Sequence, residues 1–185
     1  MLYLVPTPLG NLEDMTPRSL RALRESAAVY CEDTRRTRSL MSHFGISTPL
    51  LRYQEHDARD AKRILERLKA GEDLALVSDG GLPCISDPGR RIVALARKNS
   101  LGVTALPGPS AAAAAVAGSG LPGDSFIFLG FLPRAAGKQR KIIQEAAALE
   151  RTLGGLDDAH HAQAVHDVPA RRAAGLHAID EVVDL

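Results

Sequence analysis

Short apolar runs alternate with longer stretches of helical period, and this alternation limits the fold more than any other feature of the sequence. The clearest run is LALVS at residues 74–78, which is almost entirely apolar. A run of this kind suits a central strand that is covered on both faces. Strands that alternate with helices are typical of a parallel sheet with crossover helices. The sequence therefore predicts an α/β fold in which helices flank a parallel sheet.

The periodicity and the end signals place five strands and six helices. The strands are predicted at residues 2–5, 28–31, 50–53, 74–78 and 103–106. The helices are predicted at residues 17–25, 36–44, 58–70, 90–99, 111–117 and 138–150. Thr16 and Pro17 form a helix start signal, since threonine is a favoured cap and proline suits the first helical position. Gly45 and Gly71 are expected to end the second and third helices.

The chain changes character twice. We expect a first domain at residues 1–121, the start of an incomplete second α/β domain at 122–153, and an atypical tail at 154–185. From Arg151 onward there are four of the six histidines and few periodic apolar positions, so we expect one weak helix there, or disorder. The net charge of +1 divides into +4 over residues 1–150 and −3 over the last 35.

Composition excludes several classes of protein. The two cysteines are too few for a disulfide framework and match no CxxC spacing, which favours a reducing compartment and hence the cytoplasm. A net charge of +1 gives no global field that would recruit nucleic acid, so any such site must be local. No apolar run approaches the roughly 20 residues of a membrane span, so we expect no membrane association.

Three loops rich in glycine and proline follow predicted strands, at residues 6–14, 79–89 and 107–110. Ligands of an open parallel sheet bind beyond the carboxyl ends of its strands, so these loops predict a fixed backbone surface around a small molecule. The alternative is that they are ordinary turns. Neither GxxxxGK[ST] nor GxGxxG is present, which disfavours ATP, GTP and NAD.

The sequence disfavours two further kinds of site, a nucleophile elbow and a metal site. The segment GPSAA resembles a nucleophile elbow, but Ala112 stands where GxSxG requires glycine. Asp79 and Asp87 are possible metal ligands, yet His43 and His56 lack ligand spacing, so no metal site is expected.

Arginines cluster after the second strand. Arg35, Arg36 and Arg38 follow Glu32 and Asp33, and such a cluster can hold phosphates in bidentate fashion. The alternative is a solvated helix start with acids and bases in balance. Other basic residues strengthen the case for an anionic partner: Arg18, Arg21, Arg24, Arg134, Lys138, Arg140 and Lys141. The pattern predicts a local surface for a phosphate backbone.

Long ordered segments resemble one family. They are LYLVPTPLGNLEDMTPRSLRAL, CEDTRRTRSLMSHFGI, YQEHD, LALVSDGGLPCISDPGRRIV, LPGPSAAAAAVAGSGLPGDSFIFLGFLPR and RTL. In this order they resemble the ribosomal RNA small subunit methyltransferase I family, within the tetrapyrrole methylase superfamily. The resemblance extends over residues 2–153. It implies a two-domain α/β homodimer that binds S-adenosylmethionine between its domains and methylates the ribose 2′-hydroxyl of a cytidine in the decoding region of 16S rRNA.

The resemblance also implies roles for individual residues. The cofactor contacts would be Leu9, Asp79, Leu82, Ser110 and Ala111. Gly80 and Gly81 would let the backbone pass close beneath the sulfonium. The residues themselves indicate the other roles, since the cluster of Arg35, Arg36 and Arg38 predicts the RNA contacts. A base must remove the hydroxyl proton, and the candidates are Glu32, Asp33 and His56.

The sequence leaves the family pattern after Leu153, where GGLDD replaces an expected apolar strand. A frame-shifted or truncated second domain would explain this. Three functions then stay open: an rRNA 2′-O-methyltransferase, a catalytically inactive remnant that binds RNA or a partner, and a methyltransferase of small molecules such as tetrapyrroles.

Overall fold

A five-stranded parallel sheet forms the centre of the first unit, Met1–Ser110, in the computed structural model. Its strands are β1 (Leu2–Val5), β2 (Ala28–Cys31), β3 (Leu50–Arg52), β4 (Leu74–Val77) and β5 (Val103–Ala105). Their order across the sheet is β3-β2-β4-β1-β5, and every neighbouring pair is parallel. The predicted α/β fold is confirmed, with strand bounds within one residue of those expected.

Four helices connect these strands: α1 (Pro17–Glu25), α2 (Thr34–His43), α3 (Ala58–Lys69) and α4 (Arg90–Lys98). Thr16 caps α1 as predicted, because its Oγ1 accepts a hydrogen bond from the Ser19 amide at 3.1 Å. Helix α2 begins two residues earlier than expected, since the Asp33 side chain accepts a hydrogen bond from the Arg35 amide and so caps it. The positive φ angles of Gly45 and Gly71 fit their predicted roles as helix ends.

Both faces of the sheet are covered, which explains why β4 is apolar throughout. Leu74 and Leu76 belong to one buried cluster, which includes Ile64 of α3 and Ile92 of α4. Ala75 and Val77 belong to a second cluster, together with buried residues of α1 and α2. Because successive side chains of a strand point to opposite faces, the central strand supplies both cores.

The second unit begins at Ala111. It contains α5 (Ala111–Gly118), β6 (Phe126–Phe131), α6 (Ala136–Ala147), β7 (Thr152–Leu156) and β8 (Ala162–Val165). Strand β7 pairs parallel with β6 and antiparallel with β8. Helix α5 lies beside β7 and β8 within this unit.

After Arg151 the chain forms the strands β7 and β8, where the sequence predicts one weak helix or disorder. Gly154 and Gly155 lie within β7, which pairs with β6 and with β8 although glycine has a low strand propensity. The structure describes residues 1–147, 152–156 and 162–165. The rest of the predicted tail, and the end of the predicted helix at 138–150, lie outside these residues. Within them, no helix combines the length and apolarity that crossing a bilayer requires.

Candidate functional site

The loops after β1 and β4 are joined at the carboxyl edge of the sheet. Thr7 and Gly81 exchange two backbone hydrogen bonds, each of 2.9 Å, as an isolated antiparallel bridge. The Thr7 hydroxyl also donates to the Ser78 carbonyl at 3.0 Å, and the Ser78 hydroxyl donates to the Gly81 carbonyl at 3.0 Å. These bonds fix two of the three glycine- and proline-rich loops against each other.

The loop after β5 approaches the other two so closely that side chains are excluded. A Cβ added at Gly108 would lie 2.5 Å from Cγ of Pro6, a rigid ring. At Gly81, whose φ is +79°, an added Cβ would lie 3.3 Å from Cδ2 of Leu9 and 3.8 Å from the Pro109 carbonyl oxygen. The three loops therefore lie against one another at this edge of the sheet.

A cavity of about 80 Å³ opens beside this surface. Its lining combines hydroxyl, carboxylate, guanidinium and apolar groups: Thr7, Pro8, Arg36, Thr37, Leu40, Ser78 and Asp79. The Arg36 guanidinium lies 3.9 Å from the Asp79 carboxylate across it. Pockets that enclose a whole drug-sized ligand measure roughly 300–1,000 Å³. This cavity can therefore hold one part of such a ligand.

Most of the residues predicted to contact a cofactor lie around these loops. Leu9 packs over Gly80 and Gly81, and Asp79 lines the cavity. Leu82 is half-buried in the same loop. Ser110 ends the first unit and is also half-buried. Ala111 begins α5 in the second unit, where it packs with Ala115 and Phe128.

Asp87 lies in an unusual environment for a carboxyl group. Burial raises its pKa to about 6, and the nearby negative charges of Asp79 and Glu32 act in the same direction. The sequence indicates Asp87 as a possible metal ligand or, with Asp79, as a carboxylate that accepts hydrogen bonds or caps a loop. Within the residues that the structure describes, no group of three or more side chains is arranged to hold a metal ion. A carboxyl group with this pKa can exchange a proton near neutral pH.

The three predicted bases differ in their surroundings. Glu32 is exposed, and its negative charge helps to raise the pKa of Asp87. Asp33 caps α2, and the hydrogen bond from the Arg35 amide lowers the pKa of its carboxyl, which weakens Asp33 as a proton acceptor. His56 is exposed in the turn between β3 and α3. Of the three, Glu32 is the one whose negative charge contributes to the raised pKa of Asp87.

The three arginines predicted to contact RNA lie in different surroundings. Arg36 lines the cavity, whereas Arg35 pairs with Asp33, with 3.4 Å between Nη2 and Oδ2, and its side chain is 88% exposed. Arg38 is exposed on α2. All three arginines are therefore exposed, and Arg36 also lines the cavity.

Glu55 was missed by sequence reasoning, although it lies within the quoted segment YQEHD. Its Oε2 accepts hydrogen bonds from the Tyr53 hydroxyl at 2.8 Å and the Gly89 amide at 2.6 Å, and its Oε1 accepts one from the Arg91 amide at 2.9 Å. The two amides lie 34 and 36 residues further along the chain, so no local motif could have indicated these contacts.

Comparison with known proteins identifies relatives of this chain. Residues 1–179 match the family model described as Tetrapyrrole (Corrin/Porphyrin) Methylases. The chain is 46% identical over 153 residues to ribosomal RNA small subunit methyltransferase I of Halalkalibacterium halodurans, which covers 82% of this chain and 53% of that protein. The protein of the same name from Pseudomonas aeruginosa is 48% identical, with 82% and 54% covered. The chain thus spans about half the length of these relatives.

Solved structures support the same fold. A crystal structure of diphthine synthase superposes with a TM-score of 0.67 at 20% identity, over 86% of this chain and 64% of that one. The uroporphyrin III C-methyltransferase of Thermus thermophilus superposes with a TM-score of 0.55 at 21% identity, over 84% and 69%. The family match over residues 1–179 covers every residue of the cavity described above, and the chain belongs to the tetrapyrrole (corrin/porphyrin) methylase family.

Proposed function

We propose that this chain takes part in the S-adenosylmethionine-dependent 2′-O-methylation of a cytidine in the decoding region of 16S rRNA. The observation that carries the proposal is that the joined loops and their cavity lie inside the region matched by the methylase family. Identity of 46–48% with two rRNA methyltransferases favours rRNA as the methyl acceptor. An rRNA substrate is consistent with a cytoplasmic protein, and the proposal includes a homodimer.

The residues around the cavity fit S-adenosylmethionine. The Asp79 carboxylate can accept hydrogen bonds from ribose hydroxyls or from an ammonium group. Gly80 and Gly81 leave room for close approach to the backbone, and Leu9 offers an apolar surface. Leu82, Ser110 and Ala111 are the remaining proposed contacts. When bound, S-adenosylmethionine supplies an electrophilic methyl group.

A carboxylate at this edge would receive the proton of the ribose hydroxyl. A neutral hydroxyl is a weak nucleophile, so a general base positioned near it accelerates the reaction. Asp87 suits this role because its raised pKa of about 6 leaves it ionised at neutral pH and a stronger base than an ordinary aspartate. Glu32 is the alternative proton acceptor. Of the three predicted bases, it is the one whose negative charge contributes to the raised pKa of Asp87.

Basic residues of α2 would hold the RNA. Arg35 and Arg38 are exposed to solvent, where a guanidinium can pair with backbone phosphates. Arg36, which lies across the cavity from Asp79, would contact the RNA where it reaches the reacting groups.

Two measurements test the proposal. Calorimetry with S-adenosylmethionine should show saturable binding that Asp79→Asn weakens at least tenfold. Radiolabelled methyl groups should then pass to 16S rRNA in small ribosomal subunits that lack this modification. A folded chain that binds no S-adenosylmethionine would contradict the proposal and favour an inactive remnant. Binding with transfer to a tetrapyrrole but not to subunits would favour the small-molecule methyltransferase. Light scattering checks the homodimer.

A further inference from the structure

The loop at residues 79–89 is held in an unusual backbone conformation. Cys84 and Ser86 have φ angles of +72° and +57°, which non-glycine residues rarely adopt. Such residues persist where the surrounding structure fixes them, and they concentrate at functional sites. Asp87 follows Ser86 directly, so the position of its carboxyl depends on what holds this loop in place.

The loop cannot supply its own cap for the helix that follows it. Gly89 is the N-cap residue of α4 and makes no side-chain cap bond. A Cβ at this position would lie 2.6 Å from Cδ2 of Leu76 and 2.7 Å from Sγ of Cys84, so a serine or aspartate would not fit. The amides at the start of α4, which have no partner within the helix, must therefore find an acceptor elsewhere in the fold.

Glu55 is that acceptor. It lies after β3, and its two carboxylate oxygens accept from the amides of Gly89 and Arg91. The hydroxyl of Tyr53, a fully buried side chain, donates to Oε2 and fixes the orientation of the carboxylate. Burial raises the pKa of Glu55, but these three hydrogen bonds outweigh it and lower the pKa below its ordinary value.

We propose that Glu55, oriented by Tyr53, is a positioning residue of the methyl-transfer site: by capping α4 it fixes the loop at residues 79–89, which carries Asp79 and Asp87. The inference rests on the proposed function, since it assigns Asp87 the role of proton acceptor. Glu55 itself is occupied by three donors, so it acts through the loop and not on the substrate.

Several groups near Asp87 bear on its titration. They are Asp79, Glu32, Cys84, Glu55 and, through its pairing with Asp79, Arg36. Replacing Glu55 changes both the loop and the local charge. Tyr53→Phe separates the two effects, because it removes one hydrogen bond to Glu55 and leaves every carboxylate in place.

The chain also offers a matched control. Glu72 accepts hydrogen bonds from the Arg67 guanidinium, and this carboxylate, like that of Glu55, has a lowered pKa. Glu72 precedes β4, at the opposite end of the strand from the loop at residues 79–89. Glu72→Gln therefore removes a bonded carboxylate from the same unit without touching the loop.

The experiment follows the Asp87 carboxyl by NMR titration, with ¹³C-labelled aspartate, and measures methyl transfer in parallel. In Glu55→Gln the Asp87 titration should move to lower pH as water enters the loop. The kcat should fall at least tenfold while KM for S-adenosylmethionine stays within about twofold. Tyr53→Phe should show smaller changes in the same directions, and Glu72→Gln should show neither.

Three results would overturn the inference. One is an Asp87 titration that does not move in Glu55→Gln or in Tyr53→Phe. Another is a moved titration with unchanged kcat. The third is an equal loss of kcat in Glu72→Gln. If the wild-type chain binds no S-adenosylmethionine and transfers no methyl group, the proposed function fails, whereas the titration still decides whether Glu55 positions Asp87.

Discussion

Gly81→Ala tests whether the bridged loops form the methyl donor site. The φ of Gly81 is +79°, and an L residue in the left-handed region costs about 1–2 kcal/mol. The new Cβ would lie 3.3 Å from Cδ2 of Leu9, a side-chain end that can move by a few tenths of an ångström. We therefore expect a loss of about 1–2 kcal/mol in unfolding free energy, or roughly 2–8 °C in Tm. Displacement of Leu9 should weaken S-adenosylmethionine binding by about tenfold, which corresponds to about 1.4 kcal/mol.

Gly71→Ala is the matched control for this change. Gly71 has a φ of +87°, and a Cβ there would meet nothing within 4 Å. It lies at the end of α3, before β4, so the backbone cost is similar and the ligand site is untouched. Thermal unfolding and calorimetry should show equal loss of stability in both variants and weaker binding in Gly81→Ala alone. Normal binding by Gly81→Ala, or equal weakening in Gly71→Ala, would refute the placement of the donor site.

Two further substitutions test the RNA surface and the helix start. Arg35→Ala should weaken RNA binding severalfold in a filter assay and leave S-adenosylmethionine affinity unchanged; equal loss of both would refute the assignment. Arg59→Ala is its control, because Arg59 pairs with the cap residue Asp57 of α3 just as Arg35 pairs with Asp33. Gly89→Ala should lower the urea midpoint strongly, since its Cβ would overlap the buried Leu76 and the half-buried Cys84 at a φ of +128°; an unchanged midpoint would refute the close packing around the cap.

Much of the first unit follows from local patterns in the sequence. The apolar run at 74–78 predicts a strand covered on both faces, and β4 does supply both cores. The loops meet as expected because all five strands of this sheet are parallel and share one carboxyl edge. The order of the strands was not predicted, since it depends on which apolar faces pack together in three dimensions.

The features that sequence reasoning missed are those that depend on distant partners. The contacts of Glu55 with the start of α4 join residues 34 and 36 positions apart, so no spacing rule indicates them. Glycine has a low strand propensity, yet Gly154 and Gly155 lie in β7, a strand that pairs with β6 and β8. Asp87 has a raised pKa because of burial and of the charges of Asp79, at the start of its own loop, and of Glu32, after β2; a sequence does not display these surroundings.

The pH dependence of stability separates the role of Asp87 from that of Glu55. Burial raises the folded-state pKa of Asp87 to about 6, above the value near 4 of an unfolded chain. Its contribution to stability is therefore fully present below pH 4 and is lost as the pH rises through 6. Glu55 has a lowered pKa, so its contribution is present above its ordinary pKa and is lost as the pH falls.

At pH 8, Asp87→Asn should thus melt at a higher temperature than the wild type and transfer less methyl, with the stability difference vanishing near pH 4. Glu55→Gln should melt at a lower temperature at pH 8. Active-site groups commonly cost stability, because chemistry needs a charge that packing disfavours. An Asp87→Asn variant that is less stable at pH 8 would mean that the carboxylate is held by favourable bonds, and the assignment of Asp87 as proton acceptor would lose its physical basis.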